Sequence, residues 1–264
     1  MKRFIFFYLI VLSIFSLNAQ NYIEFNPSEI ITPISTVVLS NDTIVEFTVI
    51  IPGMYDTPID SFNRINIKEH VRLDSVGFPE IPIVSFLVAI PDCDSINLKI
   101  KPLDSTLING YNIYPAPEMV PDTTPEGYKY LREEFVYDQT AYSTDSYFPG
   151  IISETIDRGA VRSQQCIRVL FYPVQFNPVS KSITVYSEVK ISLVFTNPTG
   201  PVNNNVGIFN EMLSNSLINY ESNGLNASVS CGVGVQQEGD VHWVTTLMPG
   251  ERVNENCDYL MLYV

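Results

Sequence analysis

Residues 181–195 read KSITVYSEVKISLVF and carry one of the clearest strand patterns in the chain. Apolar residues recur there at every second position, and such residues share one face of an extended segment. These residues are Val189, Ile191, Leu193 and Phe195. The segment has room for one long strand or for two strands in close succession. Its alternation is typical of an antiparallel sheet with one face on a core.

Four other segments show strand patterns. They are 43–51 (TIVEFTVII), 83–90 (IVSFLVAI), 95–101 (SINLKIK) and 165–171 (QCIRVLF). Segment 83–90 is more continuously apolar than the others, as expected of a strand that is covered on both faces. Short strands separated by Pro, Asn, Asp and Gly predict an all-β protein. We expect an antiparallel β-sandwich, jelly-roll-like, over residues 20–200, with the many tyrosines and phenylalanines filling its core.

The strand pattern stops between residues 115 and 150, where proline, tyrosine and acidic residues predominate. We expect a long irregular segment here, with at most one short strand at Glu134–Tyr137. Disorder is the alternative, although the tyrosines argue against it because they need a surface to pack on.

The turn-rich sequence TNPTGPVNNN, residues 196–205, predicts the end of the sandwich. Apolar residues then follow at helical spacing and predict an amphipathic helix within 205–222. They are Phe209, Met212, Leu213, Leu217 and Tyr220. Residues 223–256 are weakly patterned, and we expect 201–256 to comprise this helix and a connector. The nearly unbroken apolar run DYLMLYV, residues 258–264, resembles a buried strand of a parallel sheet. We expect a truncated α/β domain to start at residue 257. The alternative is that this strand closes an edge of the sandwich.

The N-terminus has the composition of a secretory signal. Lys2 and Arg3 precede the apolar stretch 4–17, and the small residue Ala19 precedes Gln20. This order predicts a signal peptide over residues 1–19 that is cleaved between Ala19 and Gln20. The alternative is an uncleaved anchor, for which the stretch is short. Once the signal is removed we expect no membrane segment, and we expect the protein to be secreted or held at the cell surface.

The charge balance argues against a nucleic-acid partner. The chain has a formal net charge of −14, whereas binding to phosphates requires clustered Lys and Arg. The export signal allows disulfides, but four cysteines permit three pairings, so bridges and free thiols both remain open. The cysteines are Cys93, Cys166, Cys231 and Cys257.

No motif for chemistry is recognisable. The two histidines, His70 and His242, belong to no HExxH motif, and the chain has no GxSxG turn and no Walker loop. The sequence Asp92-Cys93-Asp94 is too short for a calcium loop. We therefore expect no catalytic residue, metal site or cofactor within these residues. A Cys231–His242 dyad would require a spatial pairing that the flanking sequence does not indicate.

Three features resemble the propeptide region of gingipain-type cysteine peptidase precursors. The first is GFPEIP, residues 77–82, which leads into strand 83–90. The second is the stretch 162–195, with its Phe176-Asn177-Pro178 turn. The third is the order of helix, connector and Asp258-Tyr259-Leu260, which resembles the approach to a caspase-like catalytic domain.

The resemblance implies a β-sandwich prodomain that assists folding of its own downstream peptidase domain and keeps it latent. It also implies export through the periplasm, in a family that includes secreted proteases and the type IX secretion sortase. The family's catalytic His and Cys lie further downstream, so no residue here takes those roles. A free-standing surface module for binding or adhesion is the alternative function, and an autonomous hydrolase has the least support.

Latency requires a segment that occupies the active-site cleft, and release requires a cleavable connector. For the first we select the loop 156–165, because Arg158 and Arg162 offer bidentate pairing with a pocket carboxylate. For the second we select Arg252, since it is the only Lys or Arg between Lys190 and the end of the sequence. The competing interpretation of all three arginines is that they are solvated surface charges.

Overall fold

The computed structural model describes residues 20–26, 31–125, 127–161, 164–202 and 210–220. In chain order the strands are β1 (Asn21–Glu24), β2 (Ile34–Ser40), β3 (Ile44–Ile50), β4 (Gly53–Ile59), β5 (Phe62–Asn66), β6 (Val71–Arg72), β7 (Pro82–Ala89), β8 (Ser95–Asn109), β9 (Glu118–Thr123), β10 (Lys129–Glu134), β11 (Ser153–Val161), β12 (Gln164–Phe171), β13 (Val174–Asn177) and β14 (Ser182–Thr196). The helices are α1 (Gln139–Ser143) and α2 (Asn210–Ser216).

The largest sheet is built around β14. One edge of β14 pairs with β8 along almost its whole length. The other edge pairs first with β13 and then with β3, and β2 lies outside β3. All these ladders are antiparallel. The odd-numbered residues from Ile183 to Phe195 are buried, because the period of two places them all on one face.

A second antiparallel sheet has the order β11-β12-β7-β6. β12 and β7 pair in a register that places their apolar residues opposite each other, with Val169 opposite Phe86 and Phe171 opposite Val84. The smaller sheet β1-β4-β5 and the separate hairpin β9-β10 complete the strands.

The core lies between the two large sheets. Phe47 of β3 meets Phe86 of β7 with ring centroids 5.5 Å apart at an interplanar angle of 65°. Such edge-to-face pairs are favourable beyond the area that they bury. Phe47, Val169 and Ile191 are fully buried, and each side chain of this size contributes about 1.5–3 kcal/mol of hydrophobic free energy. The molecule is thus a β-sandwich, as the sequence predicts.

The strand predictions are confirmed. Segment 181–195 forms the single strand β14 rather than two strands, and segment 95–101 is the first half of the longer β8. The expectation for residues 115–150 was wrong in detail. This stretch contains strands β9 and β10 and helix α1, and β10 ends at Glu134, where the sequence suggested that a strand begins. Pro121 within β9 removes a backbone donor and obscures the pattern.

Within the described residues, the helix predicted within 205–222 covers Asn210–Ser216, so it ends before residue 222. Its apolar residues pack on the sandwich: Leu213, Leu217 and Tyr220 are buried, whereas Met212 is exposed. Leu213, Leu217 and Tyr220 thus belong to the same hydrophobic core as the sandwich strands. The signal segment 1–19, the connector from residue 221 and the strand 258–264 lie outside the described residues.

The segment after α2 covers an open edge of β7. β6 pairs with β7 only at Pro82 and Ile83. Beyond this point the Ile218 N–H donates to the Leu87 carbonyl at 3.0 Å. The Asn219 side chain donates to the Ala89 carbonyl at 2.9 Å and accepts from the Ala89 N–H at 2.7 Å. The amide of Asn219 thus replaces a neighbouring strand.

Replacing Asn219 with Ala should lower the free energy of unfolding by about 2 kcal/mol, because the Ala89 N–H and carbonyl lose their buried partners. Urea unfolding of the chain measures this change. Ser216→Ala is the matched control, since Ser216 is exposed and donates only to its own helix at Met212. Equal stability of the two variants would show that residues 210–220 do not belong to the folded unit.

Candidate functional site

Arg158, one of the two arginines selected for contact with a peptidase, lies in β11 of the hairpin β11-β12. The segment 156–165, expected as a loop, consists mostly of paired strand ends, with Ala160 opposite Gln165 and Val161 opposite Gln164. The pairing is irregular between Ile156 and Gly159. Arg158 lies within this irregularity, and Arg162 lies outside the described residues.

Arg158 contacts the turn between β7 and β8. Its Nη2 donates to the Cys93 carbonyl at 2.8 Å and lies 3.5 Å from Asp92 Oδ1. The Arg158 side chain is 36% exposed. An inhibitory contact would therefore have to replace the hydrogen bond to Cys93, or use the exposed edge of the guanidinium. The inhibitory role of Arg158 and Arg162 stays a prediction.

The cysteines and histidine in the described part of the chain are packing residues. Cys93 and Cys166 are buried free thiols. Burial raises the pKa of the Cys166 thiol, which disfavours the nucleophilic thiolate form. Burial lowers the pKa of His70. The remaining cysteines and histidine, Cys231, Cys257 and His242, lie outside the described residues.

Within the described ranges, no helix is long and apolar enough to cross a membrane. The same residues contain no group of three or more His, Cys, Asp or Glu that could hold a metal ion.

The GFPEIP motif forms a backbone junction. Gly77 has φ +83°, a conformation that favours glycine. The Gly77 N–H donates to the Ala116 carbonyl at 2.9 Å, and the Ala116 N–H donates to the Phe78 carbonyl at 2.8 Å. The Gly77 carbonyl accepts from the Asp138 N–H at 3.1 Å. The motif therefore holds both ends of the segment that contains β9 and β10.

Glu80 of this motif is a buried carboxylate between two arginines. Its oxygens lie 2.9 Å from Arg64 Nε and 2.8 Å from Arg72 Nε. These are ion-pair distances, although the three atoms Arg64 Nε, Arg72 Nε and Glu80 Oε2 lack aligned hydrogen bonds. Arg72 also donates to the Asn66 side chain. The pairing offsets the cost of burying the carboxylate.

Arg64 links Glu80 to the hairpin β9-β10. Its Nη2 lies 2.9 Å from Glu133 Oε2, and its guanidinium carbon lies 4.5 Å from the centroid of the Tyr114 ring. Burial by itself would lower the pKa of Arg64, but the hydrogen bond to Glu133 and the charge of Glu80 raise it overall. The guanidinium thus joins the sandwich, the GFPEIP motif and the hairpin.

Aromatic residues of the 115–150 segment pack on the sandwich beside this network. Tyr137 stacks on Tyr142 with centroids 4.4 Å apart, and the Tyr142 hydroxyl donates to the Ile113 carbonyl at 2.7 Å. Phe62 of β5 contacts Phe135 with centroids 5.8 Å apart. The tyrosine content was thus a valid argument against disorder.

The hairpin β9-β10 has two different faces. On one face, Asp122 accepts from the Tyr130 hydroxyl at 3.0 Å and from Arg132 Nε at 3.2 Å. The backbone N–H of Thr123 and these two partners lower the pKa of Asp122. On the other face, Leu131 lies opposite Pro121.

The comparisons with known proteins identify the domain. Residues 28–227 match the sequence profile of the family described as Propeptide_C25. The chain belongs to this family. Its resemblance to gingipain-type propeptides is therefore confirmed, and the alternative of a free-standing adhesion module is not favoured.

Similar curated proteins are gingipains of Porphyromonas gingivalis. The Propeptide_C25 chain is 29% identical to Gingipain R1 over 157 residues, which are 58% of this chain and 15% of that protein. It is 26% identical to Gingipain R2 over 160 residues, which are 58% of this chain and 21% of that protein. The chain thus corresponds to about a fifth or less of the length of these relatives.

Two solved structures share the fold. One is titled as a complex of the pro- and mature domains of RgpB from P. gingivalis, with TM-score 0.56 and 21% identity over 71% of this chain and 98% of that chain. The other concerns zymogenic latency of gingipain K, with TM-score 0.55 and 19% identity over 68% of this chain and 100% of that chain. The Propeptide_C25 chain has the β-sandwich fold of these proteins, and it is the propeptide domain of a gingipain-like precursor.

Sequence reasoning missed the Arg64–Glu80–Arg72 network and the hairpin. Glu80 lies between two prolines in the GFPEIP motif. An acidic residue in an otherwise apolar sequence that leads into a buried strand could have indicated a buried ion pair. For the hairpin, the signal was TPEG, residues 124–127, a turn sequence between two six-residue strands.

Glu80→Gln should lower the free energy of unfolding by about 3 kcal/mol, since it leaves Arg72 without its counter-charge and Arg64 with Glu133 alone. Urea unfolding of the chain gives the value. Glu134→Gln is the control, because its pair with Arg132 is half-exposed on both sides, and such surface pairs contribute less than about 1 kcal/mol. Equal midpoints for Glu80→Gln and the wild type would show that Glu80 has no such role.

Proposed function

We propose that this Propeptide_C25 domain assists the folding of a downstream cysteine endopeptidase domain and keeps it latent until it is cleaved. The observation that supports this most directly is the shared fold with prodomains whose structures are titled as a pro–mature complex and as a study of zymogenic latency. The partner is the precursor's own peptidase domain, and the full-length precursor carries out proteolysis after maturation.

The proposed layout has four parts. Residues 1–19 are a signal peptide that is cut between Ala19 and Gln20, and the sandwich follows. The packing of Leu213, Leu217 and Tyr220 on the core supports extending the sandwich from residue 200 to residue 220 in this layout. Residues 221–256 are the connector, and the peptidase domain starts at residue 257.

The proposed route is export through the periplasm to the medium or the cell surface, with type IX secretion as the system. The basic start and apolar stretch at the N-terminus support export.

Latency is proposed to depend on arginine side chains of the β11–β12 hairpin. Arg162 falls in the sequence between the last residue of β11, Val161, and the first of β12, Gln164, and lies outside the described residues. A guanidinium pairs with a carboxylate through two parallel hydrogen bonds. The contacts of Arg158 with Asp92 and the Cys93 carbonyl limit its availability for a second partner.

Arg158→Ala with Arg162→Ala should weaken inhibition of the cognate peptidase domain by roughly tenfold or more, the effect of losing one charged hydrogen-bonded contact. Inhibition constants of the propeptide added to the peptidase domain measure this. Arg168→Ala is the control, because Arg168 lies on the same hairpin and pairs only loosely, at 3.6 Å, with Asp157. If the double variant inhibits as strongly as the control, the arginines do not enter the cleft.

Maturation is proposed to occur after Arg252. N-terminal sequencing of the secreted mature enzyme should therefore give Val253 as the first residue, since Arg252 is the only Lys or Arg between Lys190 and Val264. A first residue elsewhere within 223–256 would contradict the assignment of Arg252. An Arg252→Gln precursor should accumulate uncleaved if the maturing enzyme requires a basic residue.

A further inference from the structure

β2 is an open edge of the largest sheet. Among the described strands it pairs only with β3. Val38 is 58% exposed and Leu39 is 42% exposed. A bulge lies between Val37 and Leu39, but β2 contains neither a charged residue nor a proline. An edge strand presents a row of backbone N–H and C=O groups, with which another strand can pair.

The opposite edge of the same sheet is protected. β8 forms this edge, since its described pairing is with β14 alone. Its exposed positions include Lys99, Lys101 and Pro102. Lysine and proline are residues with which natural edge strands avoid further pairing. The contrast indicates that β2, and not β8, is the edge that accepts a further strand.

The first part of the connector has the pattern of such a strand. Residues 225–231 read LNASVSC, with Leu225, Ala227, Val229 and Cys231 at every second position. Asparagine and serine lie between them. This alternation favours a strand with one apolar and one polar face. The segment is seven residues long, as is β2.

The chain leaves the described residues beside the end of β2. The side-chain amide of Asn219 donates to Ser40 Oγ at 3.2 Å, and Ser40 is the last residue of β2. Residues 221–224 read ESNG, in which serine, asparagine and glycine favour a turn. A strand that follows this turn along β2 has to run from Ser40 towards Ile34. It is therefore antiparallel to β2, as are all neighbouring strands in this sheet.

The length of this turn also distinguishes the two edges. The five residue steps from Tyr220 to Leu225 span at most about 17 Å. A strand added outside β2 lies about 5 Å from it. On the other side of β2 the sheet continues through β3, β14 and β8, so a strand added outside β8 lies about 19 Å from β2. The turn reaches the edge of β2 but not that of β8.

We propose that residues 225–231 add to the outer edge of β2 as an antiparallel strand and complete the largest sheet. This inference concerns the fold of the propeptide itself and does not rest on the latency function. The free part of the connector then begins after Cys231. If maturation occurs after Arg252, the added strand stays with the propeptide.

The attached segment fits this edge better than a second copy of the chain does. A segment joined by a short turn meets the edge at an effective concentration on the order of millimolar. A second copy reaches such a concentration only in very concentrated solution. The two occupants therefore differ in whether occupation of the edge depends on protein concentration.

The test is hydrogen exchange of the whole chain, followed by mass spectrometry. Amides within 225–231 should exchange roughly 10- to 100-fold more slowly than in an unstructured peptide of the same sequence, because pairing with β2 has to open first. The wild-type measurement needs no variant. Exchange at the unstructured rate would overturn the inference.

A pair of prolines identifies the edge that the segment occupies. Adjacent residues of a strand direct their N–H groups to opposite sides, so Ser228→Pro with Val229→Pro removes one donor that faces β2. This variant should lose the protection of 225–231 and speed exchange within β2. Gln236→Pro with Gln237→Pro is the matched control in the same connector and should behave as the wild type does. Exchange of β12 provides the reference for an intact core in each variant.

Two further outcomes would overturn the inference. If 225–231 is protected but the Ser228→Pro, Val229→Pro variant leaves exchange of β2 unchanged, the segment lies on another surface. If protection of β2 rises with protein concentration, a second copy occupies the edge. Protection that is independent of concentration and lost from both segments in that variant supports the added strand.

Discussion

The apolar faces of β3 and β14 pack against those of β7 and β12, and Phe47 meets Phe86 edge-on between the two layers. This packing of the two sheets constrains the register of their strands. Because the side chains alternate along each strand, a shift of one residue in the register of β14 would move Ile191 and its neighbours to the outside. The remaining strands, the 115–150 segment and the C-terminal segment 210–220 all attach to this pair of sheets.

A buried charge connects the core to the hairpin β9-β10. Glu80 follows the left-handed Gly77 and lies between Arg64 and Arg72, and Arg64 continues the connection to Glu133 of the hairpin. A buried ion pair adds little net stability compared with apolar packing. It does fix orientation, because the guanidinium of Arg64 has to satisfy two carboxylates and the Tyr114 ring together.

A propeptide has to be stable on its own and also bind a second domain. In the described structure, the residues that stabilise the fold differ from those that remain exposed. Stability comes from the sandwich and from Asn219, which closes the open edge of β7. The hairpin β9-β10 and strand β11 contribute few buried residues to this core. Changes at the exposed positions of β10 should therefore have little effect on the core.

The sequence by itself determined the fold class, the five main strand segments and the family. Period-two alternation is a local property, and it is strong wherever one face of a strand is buried, as in residues 43–51 and 165–171. The GFPEIP motif and the Phe176-Asn177-Pro178 turn identified the family through their order. Only the tertiary structure decided which residues form the candidate site. Glu80, Arg64 and Glu133 are far apart in the chain and meet because β5, the motif and β10 converge, and no local pattern encodes that convergence. The same holds for Arg158, whose contact with Cys93 depends on the packing of one hairpin against a distant turn.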